Sequence, residues 1–178
     1  MAEALPLPVL HGERLTLRPA SEDDADALAA ILREPEVSAW WGRYDAAKVR
    51  RDLVDVRSYA IEVDGTVGGW LHVHEEAEPD WPSVAFDVMV SERLRGGGYG
   101  REALRIAIRW FAQERGHHRF TIDPSVGNER AIRAYEAVGF RRVGVMRRYE
   151  RGPDGRWRDG LLMELIVERR AVSPSGDR

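Results

Sequence analysis

A glycine-rich turn in the middle of the chain most constrains the fold, because it joins a predicted strand to a predicted helix. Apolar residues alternate with other residues from Val84 to Val90, which predicts a β-strand with one face in a core. The sequence Arg-Gly-Gly-Gly-Tyr-Gly-Arg then fills positions 95–101. Apolar residues follow with helical spacing from Leu104 to Phe111. A strand, a tight turn and a helix in this order predict a sheet covered by helices.

The turn at 95–101 is suited to bind an anion, usually a phosphate. Glycines let the backbone turn tightly and approach a ligand, and the N–H groups of the turn and of the helix N-terminus then face one point. Arg95 and Arg101 flank the turn and add positive charge. The Walker motif is excluded because no Gly-Lys-Ser/Thr ends the turn, and the dinucleotide fingerprint fails at position 101. A purely structural glycine turn is the alternative.

The remaining pattern predicts one α/β domain with a mixed sheet. Asp64-Gly65 predicts a hairpin turn. The full set of seven predicted strands is 15–17, 59–63, 66–73, 84–90, 120–123, 140–147 and 161–167. The four predicted helices lie at 25–32, 45–56, 101–111 and 128–138. We expect residues 1–10 to be flexible, residues 11–170 to form the domain, and residues 171–178 to be a disordered tail.

The composition excludes several classes of protein. The absence of cysteine rules out disulfides, zinc fingers, iron–sulfur clusters and thiol nucleophiles. The 27 basic and 30 acidic side chains give a net charge of −3, which argues against nucleic-acid binding. No apolar run approaches the roughly 20 residues of a membrane span, and no signal peptide is recognisable. We therefore expect a cytoplasmic protein with no nucleic-acid or membrane partner, as a monomer or a homodimer.

Three segments together resemble the GNAT superfamily of N-acetyltransferases. Arg95-x-x-Gly98-x-Gly100 is similar to the loop that holds the acyl-CoA pyrophosphate in that family. Residues 13–19 resemble its opening strand, and residues 128–140 resemble its last motif block. The resemblance runs from about residue 11 to residue 170. It implies a mixed, mostly antiparallel sheet of about seven strands with about four helices, splayed between the fourth and fifth strands.

A narrower resemblance is to the aminoglycoside 6′-N-acetyltransferase branch. It rests on Trp-Trp-Gly at 40–42, Phe-Asp at 86–87, and Asp-Pro-Ser at 123–125 followed by Asn128. In that branch the tryptophans lie near the substrate entrance, and the two aspartates meet the amino sugar. Lysine acyltransferases of siderophore assembly share the tryptophan segment, but a histidine is expected there near the place of Asp87.

The resemblance implies that acetyl-CoA is the co-substrate and that no metal takes part. A backbone N–H of Val88 or Met89 would polarise the thioester carbonyl, and Asn128 would bind the pantetheine arm or cap a helix. Tyr135 would be the acid for the leaving thiolate, or else a core tyrosine. The residues expected to contact acetyl-CoA are Val88, Met89, Val90, Arg95, Gly96, Gly97, Gly98, Tyr99, Gly100, Arg101, Asn128, Ala131 and Tyr135.

The acceptor side is predicted from acidic and aromatic residues. Asp87 lies in mid-strand, where an acid is disfavoured, so we expect it to be the base or to orient the amine. The alternatives are a turn at Asp123, a solvated loop for the acidic run, and core packing for the tryptophans. His117 and His118 are expected at the surface. The residues expected to contact the acceptor are Trp40, Trp41, Glu75, Glu76, Asp80, Trp81, Asp87 and Asp123.

These observations favour an acetyl-CoA-dependent N-acetyltransferase with Asp87 and Tyr135 as its catalytic residues. The expected acceptor is a primary amine of a polycationic small molecule of the aminoglycoside type. Three alternatives stay open: a protein N-terminal acetyltransferase, a siderophore lysine acyltransferase, and a non-catalytic acyl-CoA-binding module.

Overall fold

The computed structural model describes residues 7–168, which form one eight-stranded sheet with helices on both faces. The strands are β1 (Leu10–His11), β2 (Thr16–Pro19), β3 (Ser58–Val63), β4 (Thr66–Glu76), β5 (Ser83–Val90), β6 (Arg119–Ile122), β7 (Arg141–Arg151) and β8 (Trp157–Ile166). The helices are α1 (Ala25–Arg33), α2 (Pro35–Trp41), α3 (Ala46–Asp52), α4 (Tyr99–Gln113) and α5 (Glu129–Val138). Among these residues, no helix is both long and apolar enough to cross a bilayer.

The strand order is β1-β2-β3-β4-β5-β6-β8-β7, and every neighbouring pair is antiparallel except β5 and β6. This confirms the predicted mixed, mostly antiparallel sheet. The strand beyond the predicted seven is β1, in which Leu10 pairs with Leu17. Leu10 therefore belongs to the sheet, although it falls in the segment predicted to be flexible. The first six residues and the tail predicted at 171–178 lie outside the described residues.

Two apolar layers cover the two faces of the sheet. Alternation along β5 sends Phe86 to one face, where it packs against Phe111 of α4 and Phe120 of β6. Met89 points to the other face and joins the cluster formed with α1, α2 and α3. Because side chains pack against both faces of β5, the position of the strand is fixed as far as its last residue, Val90.

Local sequence explains where helices begin and end. Pro35 follows α1, as predicted, but it also occupies the first turn of α2, where a missing N–H and a fixed φ favour a helix start. Gly42, with a φ of 78°, ends α2. The hairpin predicted at Asp64-Gly65 is confirmed, because both residues have positive φ values, 51° and 71°, between β3 and β4.

An ion-pair cluster attaches α1 to the sheet. The Arg18 guanidinium donates to both carboxylate oxygens of Asp24, at 2.8 and 2.7 Å, and to Glu62 at 2.8 Å. The Ser21 backbone N–H also donates to Asp24, at 2.8 Å. Burial alone would raise the pKa of Asp24, but these hydrogen bonds outweigh it and lower that pKa. The charged form of Asp24 is therefore part of the folded structure.

The sheet opens between β5 and β6. Only two residue pairs join these strands, Val84 with Phe120 and Ala85 with Thr121, whereas β5 continues to Val90. Beyond Ala85, one edge of β5 is therefore unpaired with β6. This confirms the splay predicted between the fourth and fifth strands, which are the fifth and sixth here because β1 adds one.

Candidate functional site

A cleft of about 370 Å³ lies where β5 separates from β6, between α2, α4 and α5. Most of the residues predicted to contact acetyl-CoA line it. They are Val88, Met89, Val90, Arg95, Gly96, Gly98, Tyr99, Gly100, Arg101, Asn128, Ala131 and Tyr135. Of the predicted set, Gly97 is not among the lining residues. The structure thus brings together residues from a strand, a turn and two helices that are up to 47 positions apart in the chain (88 to 135).

The glycines shape the turn that closes one end of the cleft. Gly96 and Gly98 have φ values of 74° and 84°, which side chains rarely adopt, and Gly98 caps the N-terminus of α4. The Gly97 carbonyl accepts a hydrogen bond of 2.7 Å from the Arg14 side chain, which is also ion-paired with Glu102 of α4. These contacts hold the turn against α4, so that the helix N-terminus faces the cleft.

Arg95 is shared between the turn and α2. Its guanidinium forms an ion pair with Glu36 of α2, and Arg130 of α5 donates to the same carboxylate at 2.8 Å. The hydrogen bond from Arg130 and the charge of Arg95 lower the pKa of Glu36. Glu36 was missed in the sequence analysis because α2 itself was not predicted. An anion that enters the cleft therefore meets arginines already bound to a carboxylate.

Tyr135 is partly buried on the cleft side of α5. Its ring packs edge-on against Phe140, with ring centroids 6.3 Å apart. Burial raises the pKa of Tyr135, and the negative charges of Asp87 and Asp123 raise it further. The phenol is therefore protonated at neutral pH and can donate a hydrogen bond. Tyr135 therefore packs against the core, as one prediction had it, and also lines the cleft, while its role toward a leaving thiolate stays a prediction.

Asn128 occupies the N-cap of α5. Its side-chain oxygen accepts from the Ala131 N–H at 3.2 Å, and both residues line the cleft. The capping alternative is therefore confirmed, and the amide of Asn128 is fixed at the cleft wall.

Three carboxylates interact beyond the end of the β5–β6 ladder. Asp123 follows β6, and the Tyr149 hydroxyl donates to its carboxylate at 2.5 Å. Burial raises the pKa of Asp123, and the charge of Asp87 adds to the effect. Burial also raises the pKa of Glu150, with contributions from Asp123 and Asp87. Asp87, Asp123 and Glu150 are not among the residues that line the cleft of about 370 Å³, but their combined negative charge would stabilise a cation beside it.

Tyr149 and Glu150 were not predicted as site residues. The strand containing them was expected to end at 147, but β7 continues to Arg151 through an irregularity between Met146 and Glu150. Arg148, with a φ of 50°, lies within that irregularity. A bulge of this kind redirects side chains and cannot be recognised from alternation of apolar residues.

Two histidines face Asp87 from β4. His74 Nε2 lies 2.8 Å from Asp87 Oδ2, and His72 Nδ1 lies 3.1 Å from His74 Nε2. His72 Nε2 lies 3.1 Å from Asp55 Oδ2. Neither histidine was predicted as a site residue, although their i, i+2 spacing in a predicted strand places both on one face. The mid-strand acid at Asp87 therefore has a hydrogen-bonding partner, His74.

The tryptophans divide between cleft and surface. Trp41 packs edge-on against Trp70, at 5.6 Å between ring centroids, and Trp40 lies under Arg158 at 5.7 Å. Both tryptophans line the cleft. Trp81 is 65% exposed in the loop between β4 and β5, and it is not among the cleft residues.

The acidic residues at 75–80 are not brought together at the cleft. Glu75 binds Arg115 at 2.6 Å and His117 at 2.7 Å, and it lines a separate hollow with Asp80. His117 is buried, so its predicted surface position is wrong. Alternation along β4 puts Glu76 on the same face as His74, opposite to Glu75. Glu75 and Glu76, which are adjacent in the chain, therefore lie on opposite faces of the sheet.

Comparisons with known proteins agree with this geometry. The model of the acetyltransferase (GNAT) domain matches residues 14–141. The chain is 24% identical over 156 residues to the aminoglycoside N(6')-acetyltransferase type 1 of Klebsiella pneumoniae, an alignment that covers 75% of this chain and 77% of the relative.

Two solved structures show the same fold. One is RimL, a ribosomal L7/L12 alpha-N-protein acetyltransferase in complex with coenzyme A, with a TM-score of 0.79 at 18% identity over 90% of this chain and 98% of that one. The other is AAC(6')-Ib in complex with paromomycin and acetyl-CoA, with a TM-score of 0.71 at 24% identity over 86% and 94%. The family model spans most of the chain, and this protein therefore belongs to the GNAT family of acetyltransferases.

Proposed function

We propose that this acetyltransferase transfers the acetyl group of acetyl-CoA to a primary amine of a polycationic small molecule of the aminoglycoside class, at a 6′-like amino group. The observation that carries the proposal is that Asp87, Asp123 and Glu150 lie outside the lining of the cleft but close enough for their charges to act on one another, and for the two aspartates to act on Tyr135 in the cleft wall. Three neighbouring carboxylates create a negative potential that favours an ammonium group over a neutral acceptor. The named relative and the paromomycin-bound neighbour support the same acceptor class.

The cleft residues fit acetyl-CoA as the donor. The turn at 95–101 and the N-terminus of α4 offer backbone N–H groups to a pyrophosphate, with Arg101 beside them. The edge of β5 beyond Ala85, unpaired with β6, offers backbone groups to the amides of a pantetheine arm. Asn128 adds an amide side chain to the cleft lining at the N-terminus of α5. This assignment uses features that a purely structural glycine turn would not require.

The chemistry divides among three side chains and one backbone group. Asp87 accepts a proton from the substrate ammonium, while Asp123 holds the substrate in place. The amine nitrogen then forms a bond to the thioester carbonyl carbon, the carbon–sulfur bond breaks, and the remaining extra proton on nitrogen passes to the leaving sulfur, so that an amide and free CoA thiol are the products. A backbone N–H of Val88 or Met89 donates to the carbonyl oxygen as charge develops there. Tyr135 donates a hydrogen bond to the leaving sulfur; its raised pKa makes it a donor rather than a strong acid.

The test is an acceptor screen combined with a substitution of Asp87. The wild-type protein should release free thiol from acetyl-CoA with kanamycin-type aminoglycosides, and more slowly with neutral peptide N-termini. Asp87→Asn keeps the size of the side chain and removes its charge. It should lower kcat/KM for the aminoglycoside about 100-fold, with acetyl-CoA affinity retained.

The matched control is Asp80→Asn, which removes a carboxylate from the separate hollow and should leave kcat/KM within about twofold. A wild-type protein that acetylates peptide N-termini and ignores aminoglycosides would refute the acceptor class and favour the protein N-terminal alternative. A protein that binds acetyl-CoA and acetylates neither a peptide, a polyamine nor an aminoglycoside would favour the non-catalytic module.

A further inference from the structure

The histidine pair on β4 and Asp87 on β5 converge on one point. One potential ligand atom from each of His72, His74 and Asp87 lies within 4.8 Å of the other two. His72 and Asp87 are directly paired across the two strands, and His74 is the next residue on the same face of β4. We propose that His72, His74 and Asp87 bind a divalent transition metal ion, with Zn²⁺ as the best match.

The distances are close to those of a metal site. Zn–N and Zn–O bonds of about 2.0–2.2 Å at tetrahedral angles separate neighbouring ligand atoms by roughly 3.3 Å. The observed separations are 2.8 Å from His74 to Asp87 and 3.1 Å from His72 to His74. The third separation, between His72 and Asp87, is at most 4.8 Å, so side-chain rotations within the existing cluster would bring all three ligands onto one ion.

The surroundings of His72 match those of a metal-binding histidine. Its Nε2 lies 3.1 Å from Asp55 Oδ2, so the ring can donate there and keep the Nδ1 lone pair directed at the cluster. A carboxylate behind a histidine in this way fixes the ring and increases its basicity as a ligand. The Trp70 ring stacks on His72, with centroids 5.4 Å apart, and holds the ring plane. The His72 ring is therefore already held in an orientation suited to binding a metal ion.

Charge and access also favour a cation. Asp87 and Asp55 contribute negative charge, and Asp123 lies near enough to act on His74. Arg57 opposes them from the β3 side. The His74 side chain is 52% exposed, so an ion can reach the donors from solvent. Two imidazoles with one carboxylate suit Zn²⁺, Co²⁺ or Ni²⁺ and do not suit Mg²⁺ or Ca²⁺, which prefer oxygen ligands.

A bound ion would occupy the carboxylate that we assign to the amine. Zn²⁺ should therefore compete with the acceptor amine and not with acetyl-CoA. This consequence rests on the proposed function, whereas the site itself does not. A metal that binds without any effect on acetyl transfer would argue against Asp87 as the base and leave the site intact.

Metal binding is measured on tag-free, chelator-treated protein without substrates. Calorimetry should show one Zn²⁺ per chain, and Co²⁺ should give the visible d–d absorption of a low-coordinate site. His72→Gln and His74→Gln should each weaken Zn²⁺ binding at least tenfold, and Asp55→Asn should weaken it about 10- to 100-fold. His118→Gln is the matched control, because His118 lines the separate hollow with Glu75, and should leave binding unchanged.

The melting temperature of each variant, measured without metal, should match that of the wild type and so establish that the fold is retained. Two results would overturn the proposal: no stoichiometric Zn²⁺ binding to the wild type, or binding that His72→Gln and His74→Gln leave unaltered. Loss of binding in His118→Gln alone would assign the ion to the other hollow.

Discussion

At the scale of single residues, Tyr135 shows how environment sets the role of a group. Its pKa is raised by burial and by two nearby carboxylates, so proton transfer from Tyr135 to a thiolate is uphill. A hydrogen bond to the sulfur in the transition state costs no such transfer. The expected contribution of Tyr135 is therefore a donated hydrogen bond, which is lost when the hydroxyl is removed.

Tyr135→Phe should lower kcat roughly 100-fold and leave the dissociation constant for acetyl-CoA within about twofold. The reason is that the hydroxyl acts on the leaving group and the ring continues to pack against Phe140. Steady-state kinetics and calorimetry measure the two quantities. Tyr44→Phe, which removes a hydroxyl outside the cleft, is the matched control. An unchanged kcat would assign Tyr135 to core packing alone.

Single residues were partly predictable from the sequence. Asp87 was singled out because an acid in mid-strand is disfavoured and because Phe86-Asp87 resembles the aminoglycoside branch; the structure adds its contact with His74, and its catalytic role stays a prediction. His72 and His74 were not identified, because their contact with Asp87 depends on the register of β4 against β5. Register is a tertiary property that alternation within one strand does not specify.

At the scale of elements, the glycine turn and the start of α4 form one unit. Gly98 requires a positive φ, so a side chain there would strain the backbone as well as fill the cleft. Gly100, by contrast, has an ordinary φ, and a Cβ there would meet Val90 at a comfortable 3.6 Å. Gly100 therefore allows ligand binding to be perturbed without perturbing the fold.

Gly100→Asp should weaken acetyl-CoA binding at least tenfold, because it places a negative charge where the pyrophosphate is expected. The free energy of unfolding should not fall, since an acid in the first turn of a helix is favourable. Calorimetry and urea unfolding measure both effects. Gly144→Asp, at an open position on β7, is the matched control. Undiminished acetyl-CoA affinity would remove the turn from the binding site.

Elements with a strong local signal were predicted well, and α2 shows the limit. Its seven residues follow α1 after a single residue, and Pro35 is equally typical of a helix end and a helix start. Missing α2 also meant missing Glu36, which binds Arg95 and Arg130 at the cleft. A short element thus carried a site residue that composition and spacing did not reveal.

At the scale of the whole molecule, the fold lowers the pKa of some carboxyl groups and raises the pKa of others. The pKa values of Asp24 and Glu75 are lowered from 3.8 and 4.5 by their cationic partners, whereas those of Asp123 and Glu150 are raised. The first pair stabilises the fold in the charged form, and this stabilisation disappears as pH falls through the lowered pKa values. Protonation of Asp123 and Glu150 is instead favoured by the folded structure. A fall in pH therefore weakens the ion pairs of Asp24 and Glu75, and it relieves the electrostatic repulsion around Asp123 and Glu150.

Asp24→Asn should lower the free energy of unfolding by about 1–3 kcal/mol near pH 7, because Arg18 loses a charged partner. The difference from the wild type should shrink as pH falls below about 4, where the unfolded wild-type carboxyl is protonated and the advantage of the folded charged form is lost. Urea unfolding between pH 3 and pH 7 measures it. Asp26→Asn, at a side chain that is 84% exposed, should show little difference at any pH. A constant difference across this range would contradict the assignment.

The overall architecture was predictable because three motif blocks occur in order and the apolar periods agree with them. The acidic group formed by Asp87, Asp123 and Glu150 was predictable only in part. Asp123 comes from β6, whereas Glu150 and Tyr149 come from β7, the outermost strand, after an irregular segment. Such long-range meetings depend on the strand order, in which β8 lies between β6 and β7.

The two-pair ladder between β5 and β6 has a mechanical consequence. Within the sheet, the half formed by β1 to β5 is paired with the half formed by β6, β8 and β7 through Val84–Phe120 and Ala85–Thr121 alone. Asp87 belongs to the first half, and Asp123 and Tyr135 belong to the chain segment that forms the second. A separation of β5 from β6 would therefore change the distance between Asp87 and Asp123, and a donor that pairs along the free edge of β5 would resist that separation.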